Sequence, residues 1–565
     1  MNTNNDFRVC PDTGLKWHRP AERLMKLNAV AAVVFLLVGG FLGLGVGLTR
    51  WPEVHLLGPD TFYQVLTAHG INVLIFWIIF FEMAVLQFAS STLLGCRIAT
   101  PKLGMVAFLM MVVGAILNNY AVLVVGNSSV MMTSYVPMPA DTLFYVGLIV
   151  FAVGALINCF IFLGTLVIAK EEKTYEGSLP LVSFGALTAC IIAIFTIASG
   201  AVILIPTLLW NLGFINNIDA GLYRLIWWAF GHSSQQINVA AQVSIWYAIA
   251  AILFGAKPLS EKVSRFAFLL YIAVLQLASA HHLLVDPGLS SEWKIFNTSY
   301  AMYLAVMASM VHGLTVPGSI EHAQRARGLT AGLFEWLRKA PWGNPVFSAM
   351  FISLVGFGVL GGITGVVMGT EQINLLVHNT LYVPGHFHAT VVIGTTLTFM
   401  ALTYWLVPIM FRRQLIMKKL ASLQPWLFGI GMSGVALFLM GAGTLGVPRR
   451  HWDILFTSAD GGYEFSAAAL TMMSLNGMSV LLACFGGAAF CVIIVGSLLF
   501  GKKIGEDEKV GEAMIVPAVT DEEYATNKEP LTIPGTLAMV SVFFVAFALY
   551  YFINWKYLSE TWGLS

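Results

Sequence analysis

Thirteen long apolar runs, separated by charged or Pro/Gly-rich breaks, constrain this chain more than any other feature. They lie at approximately 27–49, 64–95, 103–126, 141–169, 180–207, 222–255, 263–284, 293–316, 346–369, 376–410, 425–446, 465–500 and 533–558. Each reaches or exceeds the roughly 20 apolar residues that carry an α-helix across a bilayer. With 58% hydrophobic and only 10% charged residues, a soluble core could not enclose so much apolar surface, so the excess faces lipid. A transmembrane β-barrel would alternate in polarity, and these runs do not. The expectation is an all-α integral membrane protein of about thirteen transmembrane helices, folded as a single membrane domain over 1–565.

The basic residues orient it. If the N-terminus is cytoplasmic, odd-numbered spans run outward and even-numbered spans run inward. All but six of the 30 lysines and arginines then fall on the inner side; Arg50, Arg224, Lys294, Arg449, Arg450 and Lys556 stay outside. This positive-inside bias predicts a multi-pass protein with its C-terminus outside; the membrane expected is a prokaryotic cytoplasmic one. Residues 1–26 form a cytoplasmic segment without a signal-peptide cleavage site. Residues 27–500 form a twelve-span core, 501–532 a charged cytoplasmic loop and 533–558 the thirteenth span. A net charge of +1 gives no electrostatic case for nucleic acid. The six cysteines form no CxxC, which argues against a zinc ribbon, a disulfide scaffold or covalently attached haem on this chain.

Six of the 12 histidines decide what the spans are for. His69 lies near the start of span 2, His232 early in span 6, His281 and His282 at the end of span 7, and His386 and His388 early in span 10. Alternating topology puts all six in one outer layer of the bilayer. Ionisable side chains in a membrane are costly and mostly functional, and imidazole suits iron and copper. His386 and His388, two residues apart, point about 200° away from each other on a helix. One helix can therefore serve two haems. His69 with His388 makes a six-coordinate, low-spin haem that passes electrons. His386 holds a five-coordinate haem with one open face, and His232, His281 and His282 supply a separate metal opposite it. His312, near the inner end of span 8, reads as a packed or water-bonded histidine. His18, His55, His322 and His451 carry no ligand signal, and Met110, Met111, Met131 and Met132 read as packing.

These residues sit in recognisable wording: FYQVLTAHG (62–70), WWAFGHSSQQ (227–236), ASAHHLLVDPG (278–288) and HNTLYVPGHFH (378–388). The chain resembles subunit I of the haem–copper oxidase superfamily from span 1 to span 13, and HHxxxDPG with HNT–VPGHFH resembles its B-type branch. The resemblance implies the same ligand roles for the six histidines. It also implies that Arg449 and Arg450 of GVPRR bind haem propionates, for which paired guanidiniums are suited. Asp286 and His378 lie at the same rim as further propionate or water ligands, and Asn374 stands where relatives often have aspartate. Tyr247 on span 6, with Thr298, Ser299 and Tyr303 on span 8, forms a candidate proton path or simply an interhelical hydrogen-bond network.

One departure bears on the reaction. Oxygen-reducing relatives have His-Pro-x-x-Tyr in the sixth span; here the run is His232-Ser233-Ser234-Gln235-Gln236. Gln236 occupies the tyrosine position, and an amide neither forms a radical nor titrates. Familiar nitric oxide reductases of the superfamily have glutamate there. The chain is therefore expected to be the catalytic subunit of a nitric oxide reductase derived from the B-type branch. Gln236 and Gln235 would stand behind the metal ligands. Three imidazoles without a carboxylate favour copper at the non-haem site, with iron the alternative. The low-spin haem is expected to be b-type and the high-spin haem b- or a-type. Electrons would arrive through a second subunit with an outer-face cupredoxin-like domain, from cytochrome c or a cupredoxin. A B-type terminal oxidase reducing O2, and a haem-free ion or proton transporter, remain the alternative readings.

Overall fold

The computed structural model describes residues 6–275, 277–453, 464–510 and 532–561. Among them, twelve helices are long and apolar enough to cross a membrane. In chain order they are spans 1 (Arg19–Thr49), 2 (Pro59–Thr92), 3 (Pro101–Val125), 4 (Thr142–Glu171), 5 (Leu181–Asn211) and 6 (Ala220–Phe254). After the seventh crossing come spans 8 (Ser291–Ala326), 9 (Pro345–Gly369), 10 (Tyr382–Ile409), 11 (Lys418–Thr444), 12 (Ala467–Phe500) and 13 (Pro534–Lys556). Of the loop expected at 501–532, residues 511–531 lie outside the described residues.

The seventh crossing corrects an expectation. The apolar run at 263–284 predicts a continuous helix. Instead, the chain passes through an α-helical stretch (Glu261–Leu270), a wide π stretch (Tyr271–Leu275) and a tight 3-10 stretch ending on the two histidines (Leu277–His282). Broken backbone survives at membrane depth only where protein surrounds it, and His281, Leu283 and Leu284 are buried. Pro287 and Gly288 then turn the chain away, Gly288 at φ +89°.

Local chemistry sets the helix ends. Asp141, Asp219 and Ser466 accept hydrogen bonds from the N–H groups of Leu143, Leu222 and Ala469 at 2.8, 2.7 and 3.2 Å. Each satisfies a backbone donor that the first turn leaves unpaired. Proline stands in the first turn of spans 1, 2, 3 and 9, where its missing N–H costs nothing. Span 1 starts eight residues before its apolar run, because its polar first turns are tied to a hairpin (Phe7–Val9 with Lys16–His18). Arg8 of that hairpin pairs with Glu22 at 2.9 Å.

Spans 2, 6 and 10 occupy the interior: 78%, 83% and 89% of their most apolar stretches are buried, against 6% for span 13. These three central helices carry four of the six selected histidines. Span 13 is docked from outside the bundle by Glu321 of span 8. Its carboxylate accepts from the N–H groups of Gly535 and Thr536 at 2.9 and 2.6 Å, capping the helix, while Arg325 pairs with it at 2.7 Å. Removing one partner from a buried charge pair costs about 3–5 kcal/mol. Glu321→Ala is therefore expected to lower the thermal unfolding temperature clearly, and Glu321→Gln, which keeps one acceptor, to lower it less.

Candidate active site

The structure places His386 and His388 on opposite sides of span 10. His388 lines an apolar cavity of about 330 Å³ walled by spans 1, 2, 10, 11 and 12, and His69 lines the same cavity from span 2. Each ring is held from behind by a carbonyl. His69 Nδ1 lies 2.8 Å from Gly39 O, and His388 Nδ1 lies 2.6 Å from Pro384 O. A ring N–H donated to a carbonyl fixes the tautomer and leaves Nε2 as the basic nitrogen. Gly43 makes room for the first ring: a Cβ there would stand 2.7 Å from His69 Cε1. Gly43→Ala is thus expected to displace the His69 ring, at about 1–3 kcal/mol, and to perturb any low-spin haem spectrum while leaving the other haem intact.

His386, on the far side, has Nδ1 3.0 Å from Thr364 Oγ1 of span 9. Gly365 repeats the device, since a Cβ there would meet His386 Cε1 at 2.9 Å.

His232, His281 and His282 converge. One ring nitrogen from each lies within 4.8 Å of the others. His232 Nδ1 is 3.1 Å from His282 Nε2, near the roughly 3.3 Å that separates two nitrogens bound tetrahedrally to one ion at 2.0–2.1 Å. The Trp228 ring stacks on His282 with centroids 3.6 Å apart and planes 7° from parallel. The Gln236 amide, one helical turn below His232, lies 2.5 Å from its Nε2, the nitrogen turned away from His282. Gln235 points instead toward Ser234 and Asn238, at 3.4 Å from each.

A cationic rim covers one end of both sites. Arg449, Arg450 and Arg50 line the His69/His388 cavity, and Arg449 also borders a small pocket with His281, His282, His378 and Arg224. Neither Arg449 nor Arg450 pairs with a carboxylate among the described residues, although Arg450 lies over the Tyr135 ring at 5.4 Å. Burial, with Arg450 alongside, pushes the Arg449 guanidinium down to about 9, and burial pushes Arg50 down to about 10. Burial likewise takes His378 down to about 4, against the pull of Asp286. Buried guanidiniums without anions suit the carboxylates of a haem edge. Asp286, expected as a propionate or water ligand, is engaged by Arg224 in an ion pair. Asn374 donates to Met368 O at 2.8 Å.

Tyr247 and His312 form an interhelical network, with partners other than those expected on span 8. Tyr247 does not meet Thr298, Ser299 or Tyr303: its hydroxyl bonds Ser264, His312 Nδ1 and Thr315 at 3.0, 3.0 and 2.5 Å, and Tyr303 is exposed. His312 is fully buried in that network. Met131 and Met132 line the His69 cavity, and Met132 also packs on the core, in keeping with a packing role. Sequence reasoning passed over Arg50, Tyr135, Trp228 and Thr364. Arg50 is one of the six outer basic residues and Trp228 lies within WWAFGHSSQQ; Tyr135 and Thr364 carried no signal.

Residues 23–485 match the family described as Cytochrome C and Quinol oxidase polypeptide I. Cytochrome c oxidase subunit 1 of Thermus thermophilus is 30% identical over 473 residues, 81% of each chain. Quinol oxidase subunit 1 of Bacillus subtilis is 23% identical over 486 residues, covering 82% of this chain and 71% of that one. A solved heme-copper terminal oxidase dimer superposes with a TM-score of 0.81 at 25% identity, covering 95% of this chain and 92% of its own. Members of this family are respiratory oxidoreductases that bind haems and copper. A match across most of the chain, on a bundle that gathers the six histidines at its centre, makes this protein a member of the haem–copper oxidase subunit I family.

Proposed function

We propose that the chain is the catalytic subunit of a membrane nitric oxide reductase derived from the B-type branch. It joins two NO molecules: 2 NO + 2 e⁻ + 2 H⁺ → N2O + H2O. The observation that carries this reading is Gln236, which lies against His232 where oxygen-reducing relatives have a tyrosine. Cleaving O2 draws four electrons at once, and that tyrosine supplies one of them with a proton. Coupling two NO molecules draws only two, so an amide in its place costs the reaction nothing.

The bound haems and non-haem metal supply the electrons and the gas-binding positions. His69 and His388 hold the low-spin haem, and His386 the high-spin haem. His232, His281 and His282 hold the third metal, with Arg449, Arg450 and Arg50 at the propionates. The Gln236 amide, set against His232 Nε2, holds the ring so that Nδ1 is turned toward the other two histidines. Three imidazoles without a carboxylate favour copper over iron. The low-spin haem reads as b-type and the high-spin haem as b- or a-type. Electrons enter on the outer face through a second subunit with a cupredoxin-like domain, from cytochrome c or a cupredoxin. Asp286 and His378 order the rim, Asp286 through Arg224.

The oxidase names of the relatives favour a second reading, a terminal oxidase reducing O2 to water. Purified complex supplied with excess reductant separates the two. N2O formed in step with NO consumption supports the first reading; brisk O2 uptake with no N2O establishes the second.

A further inference from the structure

Glu82 lies in the interior of span 2, buried. No lysine, arginine or histidine pairs with it among the described residues. An ionised carboxylate there would be unsupported, so the side chain is expected to hold a proton. Its Oε1 accepts from the Asn238 amide of span 6 at 2.9 Å, in the orientation where that amide also donates to Ser234 O at 3.2 Å. In the opposite orientation the amide reaches Gln235 Oε1 at 3.4 Å. Asn238 thus stands between a buried acid and the residues directly below the three-histidine cluster. A cavity of about 10 Å³ borders Glu82, Cys190 and Ile237, on the order of the space one water needs.

A second observation lies on the same helix. Toward its predicted inner end, span 2 buries Gln87, Ser90, Ser91 and Thr92. Among the described residues Gln87 Oε1 and Thr92 Oγ1 have no hydrogen-bond partner, and neither does the buried Trp17 Nε1, whose ring packs beside Phe88 at 6.1 Å. Buried polar atoms are almost always satisfied, and ordered water is the usual partner where protein offers none. Three such atoms on or beside the stretch of span 2 that follows Glu82 are where ordered water would be expected to bond.

We propose that Glu82 is the proton-delivering carboxyl of the gas-reducing centre, reloaded from the inner face along Gln87 and Thr92. The inference rests on reading the site as a gas-reducing centre, not on which gas it takes. In each transfer the carboxylic O–H bond breaks, and the proton passes to water ordered by Asn238 and on to the reduced gas. The carboxylate left behind takes a new proton from the inner side. Two such transfers, with two electrons from the donor protein, complete one N2O. The titratable groups facing Glu82 are the thiols of Cys159 on span 4 and Cys190 on span 5. Span 6 presents only the amide of Asn238 and Ser234.

The test compares wild type with Glu82→Gln, which keeps the shape, Glu82→Asp, which keeps the acid, and Gln87→Leu, which interrupts the reloading route. Infrared difference spectra in H2O and D2O should contain the carbonyl band of a protonated carboxyl that is missing in Glu82→Gln. With whichever gas wild type reduces, Glu82→Gln should turn over about a hundredfold more slowly, with unchanged haem spectra and gas KM and a flattened pH profile. Glu82→Asp should recover part of the rate, and Gln87→Leu should slow it. Wild-type rate and pH profile in Glu82→Gln would overturn the proposal. If wild type consumes O2 and ignores NO, only the choice of gas fails, and the same comparison still decides the role of Glu82.

Discussion

Replacing His388 by leucine is expected to remove one haem per chain and reduce turnover to background. Its ring lines the cavity shared with His69, and with Nδ1 committed to Pro384 O at 2.6 Å, Nε2 is the nitrogen left to ligate. No other histidine among the described residues lines that cavity, so nothing nearby can replace the lost ligand. The haem-to-protein ratio should fall by half, with loss of the spectrum of an iron held by two imidazoles. Electrons would then have no route from the donor to the buried centre. His386→Leu should remove the other haem and spare the low-spin spectrum, because the two rings lie on opposite sides of span 10. Two haems and an intact bis-imidazole spectrum in His388→Leu would refute the assignment.

The second large effect is expected at Gln236. Its amide lies 2.5 Å from His232 Nε2, so Gln236→Leu leaves that nitrogen without its partner and frees the ring to turn. Loss of such a supporting bond costs typically 10–100-fold in metal affinity or activity. Metal content should fall with the rate while both haems stay bound, which separates a positioning role from general misfolding. Gln236→Glu puts charged oxygen donors beside His232 in place of the amide. Carboxylate shifts an imidazole site toward iron, so the iron-to-copper ratio of protein grown with both metals should rise. Unchanged metal content in both variants would remove Gln236 from the site.

Much of this was legible along the chain. Apolar runs of spanning length mark the crossings because hydrocarbon accepts little else. The alternation of those crossings, with helix rise, put His69, His232, His281, His282, His386 and His388 at one depth, and the two-residue step from His386 to His388 put them on opposite faces. Those are properties of spacing. The structure adds the partners: Gly39 and Pro384 carbonyls behind two rings, Thr364 behind a third, and Trp228 stacked on His282.

What spacing could not yield is rotation and approach between helices. Helix packing in a membrane depends on small residues and on polar contacts made across the interface, and neither helix encodes the angle at which its neighbour arrives. Asp286 therefore proved engaged by Arg224, Tyr247 by Ser264, His312 and Thr315, and Glu82 by Asn238. The break in the seventh crossing has the same origin: its run is apolar enough for a helix, and only the surrounding protein makes a π and 3-10 path tolerable. Hydrophobicity and residue spacing are local quantities and carried the membrane plan and the histidine layer. Pairings between distant side chains arise when the helices settle against one another, and the assembled bundle alone decides them.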